Sequence, residues 1–299
     1  MRKVKIITDS CADLSAKQLE EYGIDYAKMT TILDGAESPA LLTWSDEEAH
    51  ALYETIRKGK RVTTAQVSVE EFTRIFTKYL DEDCDIVYIA CSSKQSGSVN
   101  TGHVTAKKLL ENYPGARIFC IDSRNASIGE GMLAIEAARL AADGKDAEEI
   151  ASHIMSIRKN VHEFVTLHTM EHLKKAGRVS ASSAFFGNLM GVKPILVADA
   201  NGAQAAYKKV KGRQNSLREL VAQLKENITD SENQTVYIAH ADCPKEEVDT
   251  LVELVKAEIP CRDVSVGLIG PIIGASVGPD AFGIWGFGKK VTFVAGETE

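Results

Sequence analysis

Short apolar runs alternate with helical patterns through the first half of the chain. Three runs of strand length end in Ser, Thr or Asp, and each is followed by residues with the apolar spacing of a helix. The predicted strands are 4–7, 86–90 and 117–121, and the predicted helices are 15–22, 97–112 and 126–142. Strands that alternate with helices form βαβ units, so we predict a parallel sheet with its polar strand ends along one edge, where such sheets bind ligands.

The second half has a different pattern. A strand is predicted at 161–167, and an Asn-Gly turn at 201–202 indicates a hairpin. Further strands and helices follow in mixed order, which favours an α+β fold; the remaining predicted elements are strands 194–198, 203–210, 236–239 and 263–267 and helices 213–228 and 244–258. We therefore predict an N-terminal α/β domain at 1–160 and a C-terminal α+β domain at 161–299, with a ligand at their interface.

Composition narrows the possible classes of protein. The chain has 299 residues, 44% hydrophobic and 26% charged, with a formal net charge of −7. This excludes a disordered chain and predicts no attraction to nucleic acid or anionic membranes. The longest uncharged run, 264–279, contains glycines and prolines and is too short for a transmembrane helix, so we expect no stable membrane insertion. Six cysteines without a C-x-x-C pair, and a first strand in place of a signal peptide, indicate reduced thiols and a cytoplasmic location.

A glycine-rich segment at 267–288 holds seven of the 22 glycines. Such a segment forms either tight turns between strands or a backbone wall against a ligand, and the sequence favours neither. The apolar residues of this region either line a ligand tunnel or form plain core; they are Ile269, Ile272, Ile273, Phe282 and Trp285.

Two patterns have simple structural explanations. The sequence H-x-x-E-H at 168–172 matches an inverted zinc motif, but no third ligand stands out, so we expect no metal site. At the first helix, Asp13 or Ser15 is expected to be the N-cap residue.

Two clusters of hydroxyl groups precede predicted helices. The segment 92–98 carries four serines before a helix N-terminus, which favours anion binding beyond a simple serine cap. In the segment 63–68, Ser68 is predicted to form a capping box with Glu71, which leaves Thr64 and Gln66 unexplained. Arg178 follows a helix end, where it pairs with the helix dipole or with a bound acid.

The order of these segments resembles the DegV family. The matching segments run from about residue 3 to 290; they are KIITDSCADLS, TTAQVS, SSKQSGSVNTG, IDSRNASIGEG, HTMEHLKKAGRVS, KPILVADANG and IGPIIGASVGP. The resemblance implies two domains with a buried long-chain fatty acid between them and no other cofactor. It also implies a non-catalytic, bacterial, fatty-acid-binding subunit that presents the carboxylate to a separate ATP-dependent fatty acid kinase subunit.

The resemblance also implies roles for individual residues. Thr64 would donate its hydroxyl to the carboxylate, Ser96 and the amide at Gly97 would hold its other oxygen, and Arg178 would support the charge. Ser276 stands where the family has a histidine, and Asp280 follows nearby. Ser276 can donate a hydrogen bond but supplies no positive charge.

Two alternatives remain open at the level of sequence. One is an acyl hydrolase with Ser96 as nucleophile, for which His103 is the nearest histidine along the chain. The other is a binder of a different lipid, because Ser276 replaces the family histidine.

Overall fold

The structure is a computed structural model that describes residues 2–180 and 191–296. The strands are β1 (Lys3–Asp9), β2 (Asp25–Ala27), β3 (Thr30–Leu33), β4 (Ala36–Pro39), β5 (Val62–Ala65), β6 (Cys84–Ala90), β7 (Ile118–Asp122), β8 (Val161–Thr166), β9 (Val179–Ser180), β10 (Val192–Ala198), β11 (Gln204–Lys211), β12 (Thr235–His240), β13 (Asp263–Leu268) and β14 (Phe282–Phe287). The helices are α1 (Ala16–Glu21), α2 (Asp46–Arg57), α3 (Val69–Asp81), α4 (Ser98–Leu110), α5 (Ile128–Ala142), α6 (Ala147–Ile157), α7 (Glu171–Ala176), α8 (Arg213–Asn227), α9 (Lys245–Glu258) and α10 (Pro271–Val277), with a short 3-10 turn at Ser231–Asn233.

The first sheet is parallel, as the alternating pattern predicts. Its strand order is β2-β1-β6-β7, and all three of its neighbouring pairs are parallel. The carboxyl ends of β1 and β6 adjoin, because Asp9 Oδ2 accepts hydrogen bonds from Tyr88 Oη at 2.7 Å and Cys91 N at 3.1 Å. The predicted polar edge of the sheet is therefore present.

The second half forms a seven-stranded mixed sheet with the order β13-β12-β14-β8-β10-β11-β9. The predicted hairpin is the antiparallel pair β10–β11. Helices α8 and α9 pack on one face over an apolar core that includes Leu220 and Leu251. The other face meets the first half, since Trp285 and Val165 share a core cluster with Leu133 of α5. The mixed α/β fold is thus confirmed, while the division near Asn160 stays a prediction about domains.

One region of the first half was not predicted. Residues 30–65 contain α2 and an antiparallel three-stranded sheet with the order β4-β3-β5. Its strands are short, β3 is half-buried and β4 is exposed, and they show little apolar alternation, so the usual signal for a strand is absent. This sheet carries Thr64.

The glycine-rich segment forms regular structure instead of a series of turns. It contains α10 and the strand β14, which lies in the middle of the seven-stranded sheet. Within β14, a Cβ on Gly283 would overlap the ring of Trp285, and one on Gly286 would lie 2.9 Å from Ile228 Cδ1. These glycines therefore permit close packing inside the sheet.

One predicted helix cap is confirmed, and another is correct only in its N-cap residue. Ser15 caps α1 with a full capping box, whereas Asp13 does not cap that helix. Ser68 caps α3, but the predicted capping box is wrong, because Glu71 accepts hydrogen bonds from Lys28 N and from the Arg74 side chain. Helix α4 has no serine cap: its N-cap residue is Gly97, and no side chain caps it.

Candidate functional site

A cavity of about 140 Å³ lies where the first half of the chain meets the seven-stranded sheet. Cys11 and Cys91 place it at the carboxyl edge of the parallel sheet, and Val165 and Trp285 line it from the other side. The five residues that the resemblance singled out all line this cavity; they are Thr64, Ser96, Gly97, Arg178 and Ser276. The structure thus brings together residues from four separate segments of the chain.

Local structure places each of these residues. Thr64 lies on β5 opposite Thr31 of β3, and Ser276 lies on α10. Helix α10 contacts both β5 and α7. Arg178 follows Gly177, which ends α7 in the left-handed conformation with φ 69°. A glycine there stops the helix and turns the chain toward the cavity.

The two hydroxyl clusters are joined to each other. Ser96 Oγ lies 2.9 Å from Ser98 Oγ and accepts a hydrogen bond from Ser98 N at 3.2 Å. Ser98 Oγ also accepts from Val67 N at 3.2 Å. A Cβ at Gly97 would overlap Oε1 of Gln66, so a side chain at this position would displace Gln66. The cost of such a change would fall on the flexible Gln66 side chain and not on the backbone.

Arg178 lies at the end of α7, and its predicted role toward a bound acid stays a prediction. Its Nη1 donates to Ala176 O at 2.7 Å, at the end of α7, and its Nε donates to Gln95 O at 3.3 Å. It is also the one cation among the described residues that line the cavity. A guanidinium has five N–H donors, so these two bonds leave donors for a bound anion.

Four of the five apolar residues that were considered for a tunnel or for plain core line the cavity, and three of the four also belong to core clusters. Ile269, Ile272, Ile273 and Trp285 line the cavity, together with other apolar side chains. Phe282 does not line it and belongs to the core beneath α8 and α9. Side chains alternate along a strand, so Phe282 and Trp285 of β14 point to opposite faces of the sheet.

Several polar lining residues were not predicted. Glu163 Oε2 accepts a hydrogen bond from Trp285 Nε1 at 3.1 Å, and Gln204 also donates to this carboxyl group. Burial raises the pKa of Glu163, which favours its neutral form. A hydrogen bond with Cys91, together with burial, raises the pKa of the Cys11 thiol well above its usual value. The sequence signal for these thiols was their position, directly after two adjacent parallel strands.

Asp280 does not add its charge to the cavity. Its Oδ1 accepts a hydrogen bond from Arg57 Nη2 at 2.8 Å, and it is not among the described lining residues. The same guanidinium donates to Asp242 O at 2.8 Å. Helix α2 is thereby tied to two loops of the second half.

The alternative chemistries find little geometric support. Ser96 Oγ makes its described hydrogen bonds with Ser98, while His103 is exposed on α4. The described residues form two groups of possible metal ligands, and neither contains His168 or His172. His168 Nδ1 instead lies 3.4 Å from Lys193 Nζ.

None of the seven glycines at 267–288 lines the cavity. The backbone-wall interpretation of this segment is therefore not supported.

Across the described residues, no helix has the length and apolar character needed to cross a bilayer.

The fold and the site define an α/β protein with an apolar internal cavity that carries hydroxyl groups and one guanidinium. Its sequence matches the DegV family, described as uncharacterised proteins, over residues 3–288. It is 33% identical over 299 residues to a DegV domain-containing protein of Clostridium perfringens, with 100% of this chain and 99% of the relative covered. A relative from Streptococcus pyogenes is 30% identical over 285 residues, with 95% and 98% covered. The chain belongs to the DegV family.

Solved structures show the same fold. A DegV lipid-binding protein from Thermotoga maritima superposes with a TM-score of 0.84 at 27% identity, covering 97% of this chain and 100% of that one. A second Thermotoga maritima protein, described as revealing a fatty acid binding function, gives 0.82 at 26% identity, with 95% and 99% covered.

Proposed function

We propose that the protein binds a long-chain fatty acid in this cavity, with the carboxylate held by Thr64, Ser96, Gly97, Arg178 and Ser276. The observation that carries the proposal is that these five residues line one cavity whose remaining lining is largely apolar. The two Thermotoga maritima relatives, which are described as lipid- and fatty-acid-binding proteins, support it.

The head-group chemistry suits a carboxylate. The hydroxyl groups of Thr64, Ser96 and Ser276 can donate hydrogen bonds, and Arg178 supplies positive charge. Gly97 begins α4 at the cavity with no side-chain cap, so the positive end of that helix dipole favours an anion there. Glu163 is the one carboxyl group among the described lining residues, and its raised pKa reduces the repulsion of a bound anion.

The acyl chain supplies the affinity. Burial of about fourteen methylenes at ~0.8 kcal/mol each gives roughly 11 kcal/mol, from which ordering and association remove several kcal/mol. A net value of about −8 to −12 kcal/mol corresponds to micromolar to nanomolar dissociation constants. A cavity of roughly this volume holds a benzene-sized guest. We therefore expect the lining to move apart when a long chain enters.

We further propose that the protein is a non-catalytic subunit, located in the bacterial cytoplasm. In this role it presents the carboxylate to a separate ATP-dependent kinase, which transfers the γ-phosphoryl group of ATP to a carboxylate oxygen and releases ADP. The raised pKa of the Cys11 thiol and the hydrogen bonds of Ser96 with Ser98 support a binding role for the cavity over a nucleophilic one.

Organic extraction of the purified protein, followed by mass spectrometry, tests the proposal. We expect a near-stoichiometric fatty acid, or its uptake by delipidated protein. A protein that is empty and takes up no fatty acid would contradict the proposal. A different lipid in the extract would favour the alternative in which Ser276 changes the ligand. An assay with acyl esters tests the hydrolase alternative. Hydrolysis by the parent that is lost in Ser96→Ala would favour a hydrolase, and an inert parent would exclude it.

A further inference from the structure

A second cavity, of about 510 Å³, adjoins the first one and marks its head-group end. Three residues line both cavities, namely Thr64, Arg178 and Ser276, and the proposed function assigns the carboxylate to all three. The described lining of the second cavity is basic, with five Lys or Arg side chains and one carboxylate. The acyl chain therefore extends from this shared end along the first cavity, whose lining is largely apolar.

A row of polar side chains crosses the wall of the first cavity alone. It consists of Trp285, Glu163 and Gln204, none of which lines the second cavity. Glu163 of β8 pairs with Trp285 of β14, and Gln204 of β11 pairs with Ala198 of β10. The register of β8 and β10, continued by three residues, places Glu163 opposite Ala198. Directly opposite residues of neighbouring strands point to the same face, so this polar row runs across the sheet over the small side chain of Ala198.

The polar row reaches beyond the head-group end. The strands at this side of the sheet have the order β8-β10-β11-β9, and Arg178 directly precedes β9. Three strand spacings, roughly 14 Å, therefore separate the backbone of β8 from that of β9. Glu163 thus faces chain carbons well beyond a carboxylate that lies beside Arg178.

The Glu163 carboxyl group has two neighbouring hydrogen-bond donors in the polar row. Trp285 Nε1 donates to Glu163 Oε2 at 3.1 Å, and the Gln204 side chain donates to the same carboxyl group. Glu163 and Gln204 are only 5% and 8% exposed, so a further partner has to come from the contents of the cavity. Because burial raises the pKa of Glu163, its carboxyl group also has a proton of its own to donate.

Anchoring of the Trp285 indole explains only part of this arrangement. It accounts for one hydrogen bond, but not for Gln204, which comes from a strand two positions away from β8 and also lines the cavity. An unbranched saturated chain would cover both polar side chains without offering them a partner, which is unfavourable. A hydroxyl group both donates and accepts hydrogen bonds, so it suits a carboxyl group and an amide in either protonation state of the acid.

We propose that the cavity selects a long-chain fatty acid that carries a hydroxyl group in the middle of its chain, where this group exchanges hydrogen bonds with Glu163 and Gln204. The ligand is then held at two polar points, the carboxylate at the head-group end and the hydroxyl group at the polar row. This inference rests on the proposed function, because the acyl chain must occupy the first cavity.

The test compares octadecanoates that carry either a hydroxyl or a methyl group at the same carbon, titrated calorimetrically into delipidated protein. The two substituents are similar in size, so the ratio of the two dissociation constants isolates hydrogen bonding. With the substituent at about carbon 8, 10 or 12, we expect the parent to bind the hydroxy acid more tightly than its methyl partner at one position or more. A purely apolar cavity would favour the methyl acid, because the hydroxyl group would lose its water without a new partner.

Two variants remove the polar partners one at a time. In Glu163→Met we expect the ratio of the dissociation constants to shift about tenfold or more toward the methyl acid. Gln204→Met should shift it in the same direction and leaves Trp285 with its acceptor, so it serves if Glu163→Met does not fold. Glu163→Gln should keep the preference of the parent, since an amide also accepts and donates hydrogen bonds.

Two controls separate the polar row from other effects. Glu253 is exposed on α9 and lines neither cavity, so Glu253→Met should leave the ratio unchanged. For the pair of acids substituted at about carbon 2, beside the carboxylate, the ratio should not respond to Glu163→Met, because Glu163 lies far from that carbon. A thermal melt of each variant checks that the fold is intact.

Two results would overturn the inference while the proposed function stands. One is a parent that binds octadecanoate but prefers the methyl acid at every mid-chain position. The other is a ratio that stays at the parent value in both Glu163→Met and Gln204→Met, which would make these residues structural supports of the wall. If the parent binds neither octadecanoate nor its derivatives, the proposed function fails, and this inference fails with it.

Discussion

Thr64 lies on β5 and Ser96 lies in the loop before α4, yet their segments meet through the hydrogen bond from Val67 N to Ser98 Oγ. Each residue combines a side-chain hydroxyl with a position at the wall of one cavity. The hydroxyl of Ser96 also accepts a bond from Ser98 N, so part of its value is structural. In variants that lack either hydroxyl group, the change in stability reports the structural contribution and the change in fatty acid affinity reports the binding contribution.

We expect Thr64→Ala and Ser96→Ala each to weaken fatty acid binding by about 1–3 kcal/mol, the range for a hydrogen bond to a charged group. Calorimetric titration measures the change. Ser93→Ala is the control, because Ser93 bonds Asp122 and lies outside the cavity. Parent-like affinity in both variants would show that the carboxylate is held elsewhere.

Asp13 is a buried carboxyl group whose pKa is raised to about 7 by burial. It accepts hydrogen bonds from Ser127 Oγ and from Gly270 N at 2.8 Å, and so connects the two halves of the chain. The native state holds this proton up to about pH 7, whereas the unfolded chain releases it near pH 4. Asp13 therefore lowers the free energy of unfolding as pH rises through this window.

Asp13→Asn should remove this pH dependence. Asparagine keeps an acceptor for Gly270 N and tolerates the positive φ of 49°. Relative to the parent, the variant should gain stability between about pH 4 and pH 7, by up to about 4 kcal/mol. Urea unfolding across this range measures the difference. Asp34→Asn, at an exposed site with φ 50°, controls for the backbone effect. A constant difference between Asp13→Asn and the parent at every pH would contradict the prediction.

At the scale of elements, α10 couples the site to the fold. It is a helix of 7 residues that carries Ser276 and contacts α2, α7 and β5. Tyr53 of α2 donates its hydroxyl to Ile269 O at 2.6 Å, just before α10 begins. The ring of Tyr53 also lies against Gly274, where a Cβ would be 2.5 Å from the hydroxyl oxygen.

Gly274→Ala should therefore displace α10 from α2. Overpacking of this kind costs typically about 1–3 kcal/mol of stability, and a shift of Ser276 should weaken fatty acid binding as well. Denaturant unfolding and calorimetric titration measure the two effects.

The control is the double variant Tyr53→Phe/Gly274→Ala, which removes the closest atom of the clash. Its loss of stability should be smaller than the sum of the two single variants. Strict additivity would mean that the two residues do not interact.

At the scale of the whole molecule, the cavity forms where the parallel sheet faces the seven-stranded one. Its small volume of about 140 Å³ and its mainly aliphatic lining predict that longer chains bind by pushing the lining apart. Each added methylene then contributes about 0.8 kcal/mol, or about fourfold in affinity, until separation costs more than burial gains.

We expect the affinity for saturated fatty acids to rise about fourfold per methylene from about ten carbons upward and then to level off. Competitive displacement of a fluorescent fatty acid measures the series. The matching fatty alcohols should give the same slope with weaker binding, because they lack the carboxylate. An affinity independent of chain length would contradict burial of the chain in this cavity.

The sequence predicted much of the regular structure, because the signals for it are local. Apolar runs defined β1, β6 and β7, and the Asn-Gly turn defined the hairpin of β10 and β11. The short strands at residues 30–65 were missed because their side chains show little apolar alternation. Helix α10 and β14 were missed because the many glycines of this segment interrupt the spacing of apolar residues that indicates a helix or a strand. Tertiary packing, which overrides local propensity, stabilises both elements.

By itself, the sequence determined the order of strands and helices and which segments carry unusual clusters of hydroxyl groups. The family resemblance implied that Thr64, Ser96 and Arg178 surround one carboxylate, but their spacing in the sequence did not. Tertiary structure shows that these residues and Ser276 share a cavity and that a basic cavity adjoins it. It also decided that Asp280 pairs with Arg57 of α2 and so stays out of the site. The physical reason is that periodicity and capping act between near neighbours in the chain, whereas cavities and ion pairs depend on contacts between residues far apart in it.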